Sequence, residues 1–147
     1  MKIAIVSGKD EGPTKLNAFD NALSDAKIGD VNLIKVSSML GKETEIIELP
    51  DLIPGDMINC VLASVCSNIK GEKITAVIAV AIGQNLGCVI ENSGKNRETE
   101  EIITESIDMV KYMMDKRGEE IVELIVKEET HVVSKIGSVV SAVIYLD

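Results

Sequence analysis

The chain has no tryptophan, and aromatic residues make up only 2% of its 147 residues. Because 46% of the residues are nevertheless hydrophobic, Ile, Val, Leu, Ala and Met must build the core. No apolar run is long enough to span a bilayer. The short apolar stretch at residues 3–6 ends at Gly8, too early for a secretory signal. The sequence therefore predicts one compact cytoplasmic domain over residues 1–147.

Basic residues are also scarce, since 15 Lys and Arg stand against 24 Asp and Glu, for a net charge of −9. This balance argues against nucleic-acid binding, which uses a basic surface to neutralise phosphates. The three cysteines match no zinc-binding spacing, so they are expected to be small buried residues in a reducing compartment, and no metal site is predicted. With one histidine and no Gly-x-Ser-x-Gly, a Ser-His-Asp hydrolase has little support.

Hydrophobic periodicity predicts two helices among seven or eight strands. The helices are expected at residues 16–27, with Thr14 as a cap, and 99–117. The predicted apolar faces contain Leu16, Phe19, Leu23 and Ala26 on the first helix and Ile103, Ile107, Val110 and Met114 on the second. The strands are expected at 2–7, 31–36, 45–49, 57–67, 74–82, 87–91, 120–127 and 137–146. Residues 8–13 and 92–95 are expected to be loops because of their Gly, Pro and Asn content. The pattern predicts a single α+β domain, a layered αββα-type sandwich with largely antiparallel sheets.

Two carboxylates and a serine pair are the candidates for chemistry. Ser37–Ser38 directly follows a predicted strand, although such a pair is most often an ordinary turn or cap. Asp20 lies at the edge of the apolar face of the first helix, where a charge is costly unless it is paired. Glu91 ends an apolar run, where an acid can be partly desolvated and suited to donate a proton near neutral pH. For each acid the alternative is a boundary residue that points to water.

The segment from Leu16 to Ser38 resembles the pyruvoyl-dependent arginine decarboxylases. The string LNAFDxAL at residues 16–23, IGxVNLI at 28–34 and the two serines occur together at the spacing of that family. The resemblance continues more thinly through the later strands and the second helix, so it covers nearly the whole chain.

The resemblance implies that the chain cuts itself into residues 1–37 and 38–147. The hydroxyl of Ser38 attacks the carbonyl of Ser37, and the peptide becomes an ester. β-Elimination then releases a chain that ends at Ser37, and residue 38 becomes dehydroalanine, which tautomerises and hydrolyses to a pyruvoyl group. A developing oxyanion on the Ser37 carbonyl needs a nearby donor, and the resemblance implies that Asn32 helps this self-processing.

The same resemblance implies that the pyruvoyl group is the covalent cofactor for decarboxylating L-arginine to agmatine and CO2 in polyamine biosynthesis. Glu91 would return a proton to the α-carbon, and Asp20 would bind the guanidinium through two parallel hydrogen bonds. The remaining positions that would line the pocket are Leu16, Gly29, Val31 and Met39. Family members are homotrimers with sites between subunits, an arrangement that would let Glu91 of one subunit meet Ser38 and Asp20 of another.

Two alternatives stay open at this point. The chain could be a pyruvoyl-dependent decarboxylase of another amino acid, such as lysine, ornithine or histidine. It could also be an unprocessed, non-catalytic binding homologue in which Ser37–Ser38 is an ordinary turn. The first alternative would produce an amine other than agmatine, and the second would leave the chain uncut.

Overall fold

The computed structural model describes residues 1–147 and contains two helices and nine strands. The helices are α1 (Lys15–Asp25) and α2 (Thr99–Lys116). The strands are β1 (Lys2–Glu11), β2 (Asn32–Lys35), β3 (Met39–Leu40), β4 (Glu45–Ile46), β5 (Met57–Ser67), β6 (Lys73–Ile82), β7 (Gly87–Lys95), β8 (Glu123–Val132) and β9 (Gly137–Tyr145). No helix combines the length and the apolarity that a membrane crossing requires.

The strands form two sheets that pack face to face, with one helix on each outer side. The five-stranded sheet has the order β2-β5-β9-β1-β4, and the four-stranded sheet has the order β3-β7-β6-β8. Only the pairs β1–β4 and β2–β5 are parallel. Helix α1 packs on β1 and β9, whereas α2 packs on β6 and β7. The predicted α+β sandwich of αββα type, with largely antiparallel sheets, is therefore confirmed.

The central strands of the two sheets are apolar on both faces because each is covered on both sides. All but the first residue of β6 and all but the last residue of β9 are buried. The cluster between the sheets includes Ile3, Val61, Ile78, Val89 and Val143. Such continuous burial explains why these strands lack the polar alternation of a sheet with one solvent-exposed face.

Strand β1 continues to Glu11, so the predicted loop at residues 8–13 is wrong over residues 8–11. The reason is pairing, since β1 and β9 remain in register from Ile3 to Glu11. Gly8 is needed for close packing rather than for a turn. A Cβ at that position would meet the carbonyl oxygen of Ala22 and would lie 2.7 Å from the amide nitrogen of Ala26. The glycine thus lets α1 approach β1.

Several other strands also differ from the prediction, the clearest being β7, β8 and β3. Strand β7 extends through the predicted loop at residues 92–95 because its pairing with β6 continues to Lys95. Strand β8 begins and ends later than expected and includes His131, while the two-residue strand β3 was not predicted at all. In each case the partner strand supplies hydrogen bonds that local composition does not reveal.

The two helices lie where periodicity predicted them, but their buried faces are rotated. Thr14 caps α1 as expected, because its hydroxyl accepts a hydrogen bond from the amide of Asn17 at 3.1 Å. The buried residues are Ala18, Ala22 and Leu23 on α1 and Ile102, Ser106, Val110 and Met114 on α2. Leu16, expected on the apolar face, is 74% exposed.

Candidate active site

Ser37 and Ser38 form the link that carries the chain from one sheet to the other. Before them, the amide of Val36 donates to the carbonyl of Cys60 in the five-stranded sheet at 2.9 Å. After them, the carbonyl of Ser38 accepts from the amide of Val89 in the four-stranded sheet, also at 2.9 Å. Ser37 is exposed and Ser38 is half-buried. The peptide bond between the serines therefore lies between two backbone groups that are hydrogen-bonded to different sheets, and Ser37 is exposed.

Glu91 lies on the strand that holds Ser38. Strand β3 pairs with β7 so that Met39 faces Cys88, and the hydrogen bond from Val89 to Ser38 extends this ladder by one residue. Glu91 follows Val89 by two positions and thus projects from the same face of β7. One chain thereby places Ser38, directly before β3, beside the strand that carries this acid. The expectation that Glu91 is partly desolvated is wrong for the single chain, since its side chain is exposed beyond the apolar part of β7.

A cavity of about 330 Å³ lies beside Glu91 and also contains Lys35, the last residue of β2. Its other lining residues are Leu62, Ala63, Ser64, Asn92 and Ser93. Burial raises the pKa of the nearby Cys60 thiol, while the charge of Lys35 acts to lower that pKa and the charge of Glu91 to raise it. A cation and an anion therefore share this cavity.

Sequence reasoning missed Lys35 as a site residue, although a cue was present. It stands alone as a cation between Lys27 and Lys42, and it lies three positions before Ser38. The strand pattern could not show that this side chain shares a cavity with Glu91, because that depends on how β5 and β7 pack.

Four of the predicted pocket residues lie elsewhere, on α1 and on the connection from α1 to β2. Gly29 and Val31 line a separate cavity of about 530 Å³. Asp20 and Leu16 are exposed on α1, and the carboxylate of Asp20 takes part in none of the hydrogen bonds or ion pairs within the chain. A single chain thus separates this group from Ser38 and Glu91.

The last two predicted residues flank the serine pair along the chain. Asn32 starts β2, where its side-chain nitrogen donates to the carbonyl of Gly55 at 3.0 Å, at the opposite end of β2 from the serines. Met39 starts β3, and its carbonyl accepts a hydrogen bond from the hydroxyl of Tyr145 at 2.8 Å. Burial raises the pKa of Tyr145, so its phenol stays protonated as a donor at neutral pH. Tyr145 was not predicted, because nothing in the sequence of β9 indicates that it reaches β3.

Known proteins similar to this chain match it over nearly its whole length. A sequence profile of the family described as "Pyruvoyl-dependent arginine decarboxylase (PvlArgDC)" matches residues 2–147. All 147 residues align at 60% identity with the pyruvoyl-dependent arginine decarboxylase of Methanothermobacter thermautotrophicus, of which they cover 97%. Identity is 39% to the enzyme of that name from Methanocaldococcus jannaschii, over 95% of this chain and 86% of the relative. Identity is 37% to the Pyrococcus horikoshii protein of that name, over 97% of this chain and 93% of the relative. The resemblance first seen at residues 16–38 is confirmed across the chain, which belongs to the pyruvoyl-dependent arginine decarboxylase family.

Proposed function

We propose that the chain cuts itself between Ser37 and Ser38 and, with the pyruvoyl group formed at residue 38, decarboxylates L-arginine to agmatine and CO2 in polyamine biosynthesis. Family membership supports the reaction, because the relatives carry the cofactor and the substrate in their names. The observation that carries the proposal is how residue 38 is held. Its carbonyl accepts a hydrogen bond from Val89, whereas neither its amide nitrogen nor its hydroxyl takes part in a hydrogen bond.

A pyruvoyl group at residue 38 fits these contacts. Its formation removes the amide nitrogen and the hydroxyl of the serine but keeps the carbonyl. Because the fold uses only that carbonyl, the conversion removes none of the hydrogen bonds that hold the residue. Met39 stays paired with Cys88 in either form, so the new chain end remains anchored in the four-stranded sheet.

The residues around residue 38 have distinct roles in this proposal. The pyruvoyl group supplies a ketone that binds the substrate amine and a neighbouring carbonyl that withdraws electrons. The amide of Val89 donates to the oxygen of that neighbouring carbonyl, where such a donor stabilises developing negative charge. Glu91, on the same strand, donates the proton that replaces CO2 on the α-carbon. Asn32 supports self-cleavage by fixing the start of β2, the strand that leads into Ser37.

We further propose that the site is completed in a homotrimer. Asp20 is exposed and unpaired, so its two oxygens are free to accept the fork of a guanidinium. Leu16, Gly29, Val31 and Met39 would line the rest of the pocket. Since Asp20 lies on α1, apart from Glu91, a neighbouring subunit would bring the two groups together. Apolar side chains at and beside the outer strand β2 are available for such an interface: Ile34, Val36 and Met57 are 40%, 36% and 68% exposed.

The fold supports cleavage without loss of the first fragment. Residues 1–37 include β1, which lies between β9 and β4 inside the five-stranded sheet, and α1, which covers that sheet. We therefore expect the two fragments to stay together under native conditions and to separate only in denaturant. All three cysteines are free thiols, which supports a cytoplasmic location for the enzyme.

Two matched serine variants test the proposal. We expect Ser38→Ala to stay intact and inactive, because no hydroxyl remains to attack, and Ser37→Ala to cleave, because the first residue contributes only its carbonyl. Denaturing gels should show fragments 1–37 and 38–147 in the parent protein, and mass spectrometry should find pyruvoyl at residue 38. An intact parent chain that keeps its serine after prolonged incubation would support the binding homologue instead.

Amine analysis identifies the substrate. The processed protein is incubated separately with arginine, lysine, ornithine and histidine, and the released CO2 and the amines are measured. We expect agmatine from arginine as the main product. Another amine without agmatine would reject arginine as the substrate while leaving the reaction class intact. Sedimentation of the active protein as a monomer would reject the trimer.

A further inference from the structure

The cavity lined by Lys35 and Glu91 contains two opposite charges that are not paired with each other. Lys35 and Glu91 both line it, yet the chain's ion pairs do not include a contact between them, so more than 4.0 Å separates their charged atoms. Both side chains are exposed, and neither forms a hydrogen bond within the chain. The space between them is open to a ligand that carries both signs of charge.

We propose that Lys35 binds the α-carboxylate of the amino-acid substrate, opposite Glu91, and so distinguishes the substrate from its decarboxylated product. This inference rests on the proposed function and adds a substrate-binding residue to it. The ammonium of Lys35 donates to the carboxylate, while the α-amine lies between Glu91 and residue 38. The pair of charges thus matches the zwitterionic end that all α-amino acids share.

The fold holds Lys35 in the same position before and after self-cleavage. Strand β2 pairs in parallel with β5, and this register puts Lys35 next to Cys60. The amide of the following residue, Val36, is bonded to the carbonyl of Cys60. Because these contacts join residues 32–36 to β5, the lysine stays at the cavity after the bond at residue 37 is broken. Lys35 lowers the pKa of the Cys60 thiol and Glu91 raises it, which supports the placement of both charges near the same point.

Charge complementarity explains why a lysine is needed there. The chain has a net charge of −9, and the two acids assigned to the site, Asp20 and Glu91, favour cations. An α-carboxylate would be repelled by this environment unless a cation compensated it. Lys35 is the one cation that lines the cavity. Agmatine lacks the carboxylate, so it forms no ion pair with Lys35, and Lys35 does not contribute to its binding affinity.

Two unreactive ligands test the assignment by calorimetry on the processed enzyme. The first, 5-guanidinopentanoate, keeps the guanidinium and the carboxylate of arginine but has no amine to condense with the cofactor. The second, butylguanidine, lacks the carboxylate as well. We expect Lys35→Met to weaken binding of 5-guanidinopentanoate by about tenfold or more, the effect of losing a charge-assisted hydrogen bond. Binding of butylguanidine should be unchanged, and Lys35→Arg should restore most of the loss.

Lys70→Met is the matched control, because it removes the same charge from an exposed lysine that lines none of the described site. It should leave both affinities unchanged. In turnover assays the KM for arginine should rise in Lys35→Met, while inhibition by agmatine should not weaken. Lys35→Gln provides a second, polar variant in case the methionine variant does not fold.

Three results would overturn the assignment. Equal weakening of both ligands would make Lys35 a structural residue, and unchanged binding of 5-guanidinopentanoate would remove it from the site. Failure of Lys35→Met and Lys35→Gln to cleave would assign the lysine to self-processing. A parent enzyme that produces no agmatine would reject the proposed function separately, because the preference for a carboxylate is measured without turnover.

Discussion

The carboxylate of Glu11 joins the end of β1 to β8 and to the turn before β9 through several hydrogen bonds. It accepts from the amides of Ser134, Lys135 and Ile136 at 3.3, 2.7 and 3.1 Å. It also contacts Nε2 of His131 at 2.6 Å. Glu11 ends β1, and its partners lie at the end of β8 and in the turn to β9. Glu11→Gln should therefore lower stability at a point where residues 1–37 meet residues 38–147.

The expected size of this effect follows from the contacts. A hydrogen bond to a charged group contributes on the order of 1.5–3 kcal/mol. Glutamine keeps one acceptor oxygen but directs an NH2 group at donors, and the Glu11 side chain is 29% exposed, so water replaces part of the loss. We expect the free energy of unfolding to fall by about 2 kcal/mol at pH 7.

The pH dependence provides an independent check. Burial alone would raise the pKa of Glu11, but hydrogen bonds from the Lys135 and Ser134 amides and from His131 outweigh it and lower this pKa below its ordinary value of 4.5. Below pH 4.5 the unfolded chain therefore binds a proton before the folded chain does. The stabilisation is complete above pH 4.5 and is lost as the pH falls through the lowered pKa. The difference between the parent and Glu11→Gln should narrow accordingly.

Urea unfolding followed by far-UV circular dichroism measures this difference. We would introduce Glu11→Gln into Ser38→Ala, in which the chain is expected to stay intact, so that unfolding does not separate two fragments. All variants are compared at one protein concentration, because assembly shifts the apparent stability. Glu48→Gln, at an exposed glutamate without hydrogen bonds, is the control. An unchanged stability at pH 7, or a loss that is constant down to pH 3, would refute the reasoning.

Two further predictions concern the active site. Glu91→Gln should still cleave but should lose about 100-fold or more in kcat for arginine, because an amide cannot act as the general acid; full turnover would show that Glu91 has another role. Tyr145→Phe should slow self-cleavage by about fivefold, since one hydrogen bond of about 1 kcal/mol to the carbonyl of Met39 is lost. Gel densitometry over time measures that rate, and cleavage at the parent rate would contradict the role of the phenol in placing residue 38.

The periodic elements were predictable because their apolar faces repeat over many residues. Strand β5 has the bounds that were expected, residues 57–67, and both helices lie within a few residues of their predicted ends. The errors occur where pairing overrides composition. Strand β1 passes through Gly8 because β9 continues beside it, and β7 passes through residues 92–95 because β6 does. A local pattern cannot report which strand lies alongside it.

The burial of single side chains was less predictable than the helices that carry them. Leu16 was expected to face the core, but it lies in the first turn of α1, where Ala18, Ala22 and Leu23 make the contacts with the sheet. Glu91 was expected to be partly desolvated by the apolar run before it, yet its side chain is exposed. Both outcomes depend on how an element packs against its neighbours.

By itself, the sequence determined the family and the candidate groups for chemistry, because functional groups and the string at residues 16–38 are properties of the chain alone. The serine pair, Asp20, Asn32 and Glu91 could be singled out in this way. Only the tertiary structure decided their arrangement. It placed the Ser37–Ser38 link between the two sheets and Glu91 on the strand that is hydrogen-bonded to Ser38. It also placed Lys35 in the cavity that Glu91 lines, and Asp20 on α1, outside that cavity. These relations arise from pairing between strands that are far apart in the chain, and no local pattern encodes such pairing.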